Sequence, residues 1–278
     1  MNFQTLPTSG GDGDRPWWLA AVVVIGLAIA AVIVVNDLYA QVFATVSRGI
    51  WVTVFVTVTA FVLATALGLA IALAGLSDRL ALRQAARFYV EVVRGIPILV
   101  LLFYIAFAGA PAIVGFYNVL IAPLVDGGFL EPMQVRDLSL MWRAIIALTI
   151  GYSAFIAEIF RAGFQSIDRG QVEAAMALGL TRGQRFRLVI FPQAIRVIFP
   201  PLSNDFVAMV KDSSLVSVLG VADISQAGKI YASGSFRFFE TYSIVAYIYL
   251  ILTIGLSIAL RQVEKKMREQ GIRKASRR

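Results

Sequence analysis

The residues able to do chemistry in this sequence are few, and most stand among apolar neighbours. Lys211 and Asp212 follow Phe206-Val-Ala-Met-Val210 and precede Ser213, Ser214 and Leu215; Asn204 and Asp205 lie seven residues earlier. A charge at membrane depth is costly, so such groups pair, face protein or line a water-filled path. At about 100° per residue, Lys211 and Asp212 diverge on one helix. Asp205 and Asp212 share one face, and Asn204 and Lys211 share another. Ser213, Ser214 and Ser217 fill much of what remains. A helix polar on several sides cannot turn all of them to lipid, so this segment is expected to line a path, at an interface with a second subunit. Two roles fit: the groups meet the charges of a zwitterionic solute, or they satisfy one another and hold a gate.

Two further charged pairs flank apolar blocks. Glu158 and Arg161 are three apart, as are Glu91 and Arg94, the spacing of local ion pairs on a helix; Glu158 and Arg94 are also candidate residues of the path. Arg94-Gly95-Ile96-Pro97 interrupts helical backbone. Broken backbone at depth is tolerated where it lines a cavity or is buried in protein, so this stretch is a path wall or a packing kink.

Several chemistries are excluded. The chain has no Cys and no His. Disulfides, thiolate sites and Ser-His or Cys-His catalysis are therefore absent, as is the commonest transition-metal ligand. No cluster of carboxylates suggests a metal site, and no bound cofactor is expected. Gly228-Lys229 is followed by Ile230 with no glycine at the spacing of a phosphate-binding loop, so the chain carries no ATPase site of its own. Gly11-Asp-Gly13-Asp14 resembles a short intramembrane aspartyl protease pattern, but it sits in a Gly-rich polar tail and reads as a flexible terminus.

The elements that must hold these residues are membrane helices. The chain is 59% hydrophobic and 15% charged, against about 45–50% and 25% in soluble chains. About 20 apolar residues span a bilayer as helix. Six blocks qualify: 17–35, 49–76, 88–108, 143–161, 197–221 and 241–260. The expected class is an all-α integral membrane protein of about six transmembrane helices. The first block is too long for a signal-peptide core and lacks a cleavage site, so it is read as retained. Four segments follow: a cytoplasmic tail (1–16), an extra N-terminal helix with its outer loop (17–48), a main transmembrane domain (49–263) and a basic tail (264–278).

Basic residues fix the orientation. Arg15, Arg79, Arg83, Arg87, six arginines from Arg161 to Arg196 and eight residues of the tail make 18 in one set of joints; Arg48, Arg136, Arg143, Lys229 and Arg237 make 5 in the other. The positive-inside rule places both termini in the cytoplasm. The loop 162–195 is then cytoplasmic and 109–142 faces outward. The basic tail reads as a topology anchor near anionic lipid; no base-stacking face suggests nucleic acid.

The long cytoplasmic joint is built rather than slack. Glu173 to Leu178 are good helix formers, Gly179 stands where a helix terminates, Thr181 can cap a second helix through Phe186–Ile190, and Pro192 marks the next boundary. The alanines permit close approach of a partner surface. Glu173-Ala174-Ala175, three residues, Gly179, nine residues, then Val189-Ile-Phe191-Pro192 resembles the signature loop of ABC importer permeases, with Val189 and Phe191 as apolar replacements. Glu91-Val-Val-Arg94-Gly-Ile-Pro97 is similar to a stretch of the polar amino-acid subfamily, with Ile96 for the usual Thr. Tyr152 to Gly163, Pro201 to Asp205 and Lys211 to Leu215 resemble the same subfamily.

The resemblance covers roughly 49–263 and leaves the first helix and the loop 109–142 as additions to a five-helix core. It implies a cytoplasmic coupling helix that docks on a separate ATP- and Mg-using ATPase, one subunit per coupling loop. It also implies a second permease subunit, self or sister, and an extracytoplasmic solute-binding protein. The implied setting is a bacterial inner membrane, and the implied function is import of polar amino acids. A self-sufficient secondary carrier is the rival; it shows paired internal repeats as a rule, and none is evident here.

Overall fold

The computed structural model describes residues 17–275; the N-terminal tail, with Arg15 and the Gly11–Asp14 pattern, and the last three residues lie outside them. The described residues hold helices and no strand. In chain order these are α1 (Trp17–Val35), α2 (Asp37–Val46), α3 (Ile50–Gly75), α4 (Leu80–Gly95), α5 (Ile98–Phe103), α6 (Ala110–Asp126), α7 (Leu140–Gln165), α8 (Arg169–Ala177), α9 (Arg182–Arg185), α10 (Phe191–Asp212), α11 (Ile224–Ser235) and α12 (Phe238–Ala275).

Among the described residues five helices are long and apolar enough to cross a membrane: 37–75, 98–126, 140–165, 182–219 and 238–267. Apolar α1 lies before them. It packs through Ile29 and Ile33 against a cluster from α2, α11 and α12, and leaves Val23, Val24, Leu27 and Val34 exposed.

The central pair is α3 with α7. Thr53, Val56, Ala60, Ala64, Gly68 and Ala72 are buried along one side of α3. This three- and four-residue spacing of small residues lets two backbones approach closely, the usual basis of helix pairing in lipid. Tyr152, Ile156 and Phe160 of α7 complete the main core with Ala194, Ile198 and Met209 of α10.

The third expected span, 88–108, is corrected. The chain breaks where Gly95, Ile96 and Pro97 predict it: Ile96 is extended (φ −101°, ψ 128°), as a residue before proline prefers, and Pro97 starts a new helix. Before the break, α4 is amphipathic. It buries Ala86, Val90 and Val93 and exposes Arg87 and Glu91. After it, the apolar run continues from Ile98 to Asp126 through a π-helical stretch at Tyr104–Gly109. The expected outer loop 109–142 is therefore helical to Asp126, leaving only 127–139 as a connection. Arg143 ties that connection down by donating to the carbonyls of Leu138, Ala106 and Val135, and Asn118 bonds Met133 in both directions.

The other boundaries shift too. The expected loop 36–48 is α2, capped by Asn36. The fifth span starts earlier than Val197, and Pro192 stands in the first turn of α10, where π-helical backbone gives way to α-helical. A π-helical turn at Phe186–Ile190 runs into α10, with the Phe191 N–H bonded to the Phe186 carbonyl. The wider turn accommodates a proline, which lacks an N–H and would crowd the carbonyl four residues back in a regular helix. Beyond α10 a 3₁₀ segment, Ser213–Leu219, ends at left-handed Gly220.

Candidate functional site

The first site is the device between α7 and α10. Asp168 caps α8 by accepting from the Gly170 N–H. The helix ends on Gly179 at φ +74°. The Gly179 N–H bonds the Met176 carbonyl and the Leu180 N–H bonds the Ala175 carbonyl, a Schellman closure that needs the left-handed conformation glycine tolerates. Thr181 and Gln184 then form a reciprocal capping box that starts α9. Helix, glycine terminator and threonine-capped helix are thus built as their residue types predict.

The faces of α8 differ from expectation at one residue. Glu173 and Ala174 are exposed, whereas Ala175 is 3% exposed and packs inward. One of the two alanines therefore serves the fold, because a helix held against its neighbour must turn some side inward. The open side also carries Met176 and Leu178, the latter 80% exposed. Gln171 accepts from Gln193 Nε2 at 2.6 Å, and the same Gln193 amide donates to the Val189 carbonyl. This tie joins α8 to the helix that continues as α10. Nothing about Gln171, Gln193 or Leu178 stands out in a sequence pattern, because their roles depend on which loop positions face each other.

The second site lies on α10 and α7. The face assignments from helical periodicity hold: Asn204 and Lys211 are exposed together, and Asp205 and Asp212 are half-buried together. Asp212 accepts from the Tyr152 hydroxyl at 2.8 Å. The ring of Tyr152 neighbours Phe155 at 6.3 Å, and the Arg94 guanidinium lies over Phe155 at 5.3 Å. Arg94, Phe155, Tyr152 and Asp212 thus form one chain of contacts joining the backbone break to α10. Lys211 has no carboxylate within ion-pair distance among the described residues. Ser213 is fully buried with its hydroxyl on the Val210 carbonyl, so it has no open side for a solute. Ser214 is half-buried. Tyr152 and Phe155 carry a signal that periodicity alone does not use: a phenol inside a span requires a polar partner.

Glu158 pairs with Arg161 as expected, at 2.6 Å, and Arg161 also donates to Gln165. Glu91 and Arg94 form no ion pair; Arg94 takes the aromatic ring instead. Close approach fixes α7 on α10: a Cβ at Gly163 would overlap the Ile198 side chain. Gly228, beside Lys229, is buried in α11 against Val245, a packing position. Among the described residues no three carboxylates gather as a metal site.

At the opposite end of the bundle, Asp223 is buried. It caps α11 through the Gln226 N–H at 2.8 Å and accepts from the Tyr249 hydroxyl. Burial pushes its carboxyl above the usual carboxylate range, and the hydrogen bonds from Gln226, Ser225 and Tyr249 only partly offset this.

Comparison with known proteins places the chain in a family. Residues 64–269 match the family described as binding-protein-dependent transport system inner membrane component. The chain is 35% identical over 225 residues to the probable amino-acid permease protein YxeN of Bacillus subtilis (strain 168), covering 81% of this chain and 92% of that one. It is 37% identical over 185 residues to the glutamine transport system permease protein GlnP of Escherichia coli (strain K12), covering 66% and 74%. A solved amino acid ABC transporter with histidines superposes with a TM-score of 0.66 at 36% identity, covering 82% of this chain and 95% of that one. The inward-facing MetNI methionine ABC transporter shares the fold at 20% identity and a TM-score of 0.60, covering 80% and 96%.

Proposed function

The chain belongs to the family of binding-protein-dependent transport system inner membrane components, and from that premise we propose that it forms the path by which polar amino acids cross the membrane in an ATP-driven importer. The observation that carries the reading is the α8 device. A short capped helix, closed by left-handed Gly179, presents Glu173, Ala174, Met176 and Leu178 outward at one end of the bundle. Exposed apolar side chains rimmed by charge mark a protein-docking surface. The partner is a separate ATPase subunit on the cytoplasmic side, where the arginines of this end belong.

The mechanism follows from what α8 touches. Closure of an ATPase pair pushes on α8. The Gln171–Gln193 bond and the inward packing of Ala175 pass the displacement to α10 as a rigid body. Helix α10 carries Asp205, Lys211 and Asp212, so the push moves the charged face against α7, where Tyr152 holds Asp212. Two chains, self or sister, enclose the path, and a binding protein delivers the solute from outside. Asn204, Lys211 and Arg94 are open polar and cationic groups of that path, the half-buried Asp205 and Asp212 supply the negative sign, and the two together suit a zwitterion.

The absence of cysteine makes a direct test simple. Leu178→Cys should cross-link to the ATPase subunit of the purified assembly, and Phe129→Cys, exposed beyond α6, should not. Equal cross-linking from both positions, or none from Leu178→Cys, would reject the docking assignment.

A further inference from the structure

On the side of α7 turned away from α10 lies a cleft of about 400 Å³, bounded by α3, α4 and α7. Tyr152 and Arg161 are nine residues apart, two and a half turns, and so leave α7 on opposite sides. Tyr152 meets α10, whereas Arg161, Glu158 and Gln165 enter the cleft. Helix α4 contributes Arg87 and Glu91. The charged lining is two guanidinium and two carboxylate groups.

Their pairing is incomplete. Arg161 is held by Glu158 and Gln165. Arg87 and Glu91 are exposed, and among the described residues neither has an ion-pair partner. They are four apart with the cation first, the weaker order for a helical pair. The rest of the lining is apolar: Ile71, Ala72 and Gly75 of α3, Ala86 and Val90 of α4. A cleft charged at one part and apolar at another fits an amphiphile better than a water-soluble solute.

The surroundings supply that amphiphile. Next to the cleft, Phe88 (72% exposed) and Val92 form an apolar outer side of α4. Arg79 precedes α4 and Arg83 lies in its first turn. An amphipathic helix with arginines at its start and an aromatic on its apolar side lies at the head-group boundary of a bilayer.

We propose that this cleft binds the head group of a phospholipid carrying a primary ammonium beside its phosphate. Glu91 receives the ammonium and Arg87 the phosphate. The apolar wall takes the glycerol end of the chains. Balanced charge favours a zwitterion over a purely anionic head group, and carboxylate acceptors favour an ammonium with free N–H over a trimethylated one. The proposal requires only that the chain spans a bilayer, so it stands or falls separately from the transport reading.

The test is lipid retention by the full chain purified in detergent, read by native mass spectrometry. The probes are phosphatidylethanolamine, phosphatidylcholine and phosphatidylglycerol of matched acyl chains. Phosphatidylethanolamine should be retained about tenfold over phosphatidylcholine, the lower end of what a hydrogen bond to a charged group contributes. Glu91→Gln should remove that preference, and Arg87→Gln should lower retention of all three lipids, while helix content stays constant. Free phosphoethanolamine should not displace the lipid, since it lacks the apolar part. Equal retention of all three lipids, preference for phosphatidylglycerol, displacement by free phosphoethanolamine, or an unchanged preference in folded Glu91→Gln would overturn the proposal. The wild-type lipid comparison decides it even where a variant does not fold.

Discussion

Tyr152 supplies the hydrogen bond to Asp212 in the described chain, across the contact between α7 and α10. A hydrogen bond to a charged group is worth roughly 1.5–3 kcal/mol, and removing the donor leaves the carboxylate short of a partner. Tyr152→Phe should therefore lower thermal stability by that order and reduce uptake, with Asp212→Asn partly restoring stability in the double variant. Additive losses in that cycle would mean the two groups do not act together. Gly179 makes a different point. Its φ of +74° strains any side chain, yet nothing lies within 4 Å of a Cβ placed there. The cost is one of backbone, about 1–2 kcal/mol. Gly179→Asn, which tolerates the left-handed region, should keep most substrate-stimulated ATP hydrolysis, and Gly179→Val should lose it. Asp223 sets a pH dependence. Burial raises its carboxyl in the folded chain, so the contribution is favourable at low pH and is lost as pH rises through the raised value. Stability should climb as pH falls through the raised value toward the ordinary aspartate range of about 4. Asp223→Asn, an equally good cap, should flatten that climb in thermal melts at several pH values; an unchanged slope would remove Asp223 as its source.

At the scale of elements, the contact between α7 and α10 depends on Gly163 lying against Ile198. Gly163→Ala should cost about 1–3 kcal/mol by overpacking, and adding Ile198→Val should recover part of it. Destabilisation undiminished by the second change would place the fault elsewhere. The same scale separates what could be read from sequence and what could not. The α8 device and the break at Gly95–Pro97 were legible because glycine, proline and capping residues act on their own backbone within a turn. The polar faces of α10 were legible because periodicity needs only a helix. The extent of the third span was not. The apolar side of amphipathic α4 joins the run beyond Pro97 without a composition change, so a window of about 20 residues fitted across the break and left α6 looking like loop. Helix α11 carried a signal in Asp223, a strong N-cap, but its glycines, serines and lysine hide it from a hydropathy scan. Ala175 and Ser213 were assigned open sides by residue type; only the packing of neighbouring elements shows them buried.

For the whole molecule, one end gathers α8, the basic joints and the exposed Leu178, and the opposite end gathers Arg143, Asp223 and the 127–139 connection. Between them the half-buried carboxylates of α10 meet α7, while α1 adds an apolar helix outside the five long ones. This asymmetry is what an importer subunit needs, with force applied at one end and solute admitted at the other. The central claim is that transport by this chain is driven through α8 by ATP and not by an ion gradient acting on Lys211 and Asp212. The most direct measurement is labelled amino-acid uptake into liposomes holding the chain, with and without its ATPase and binding protein, with ATP on the side of α8. Uptake is expected only in the complete, ATP-fuelled assembly, and Gly179→Arg should abolish it. Uptake by the chain alone under an ion gradient, or full uptake by the Gly179→Arg assembly, would contradict it.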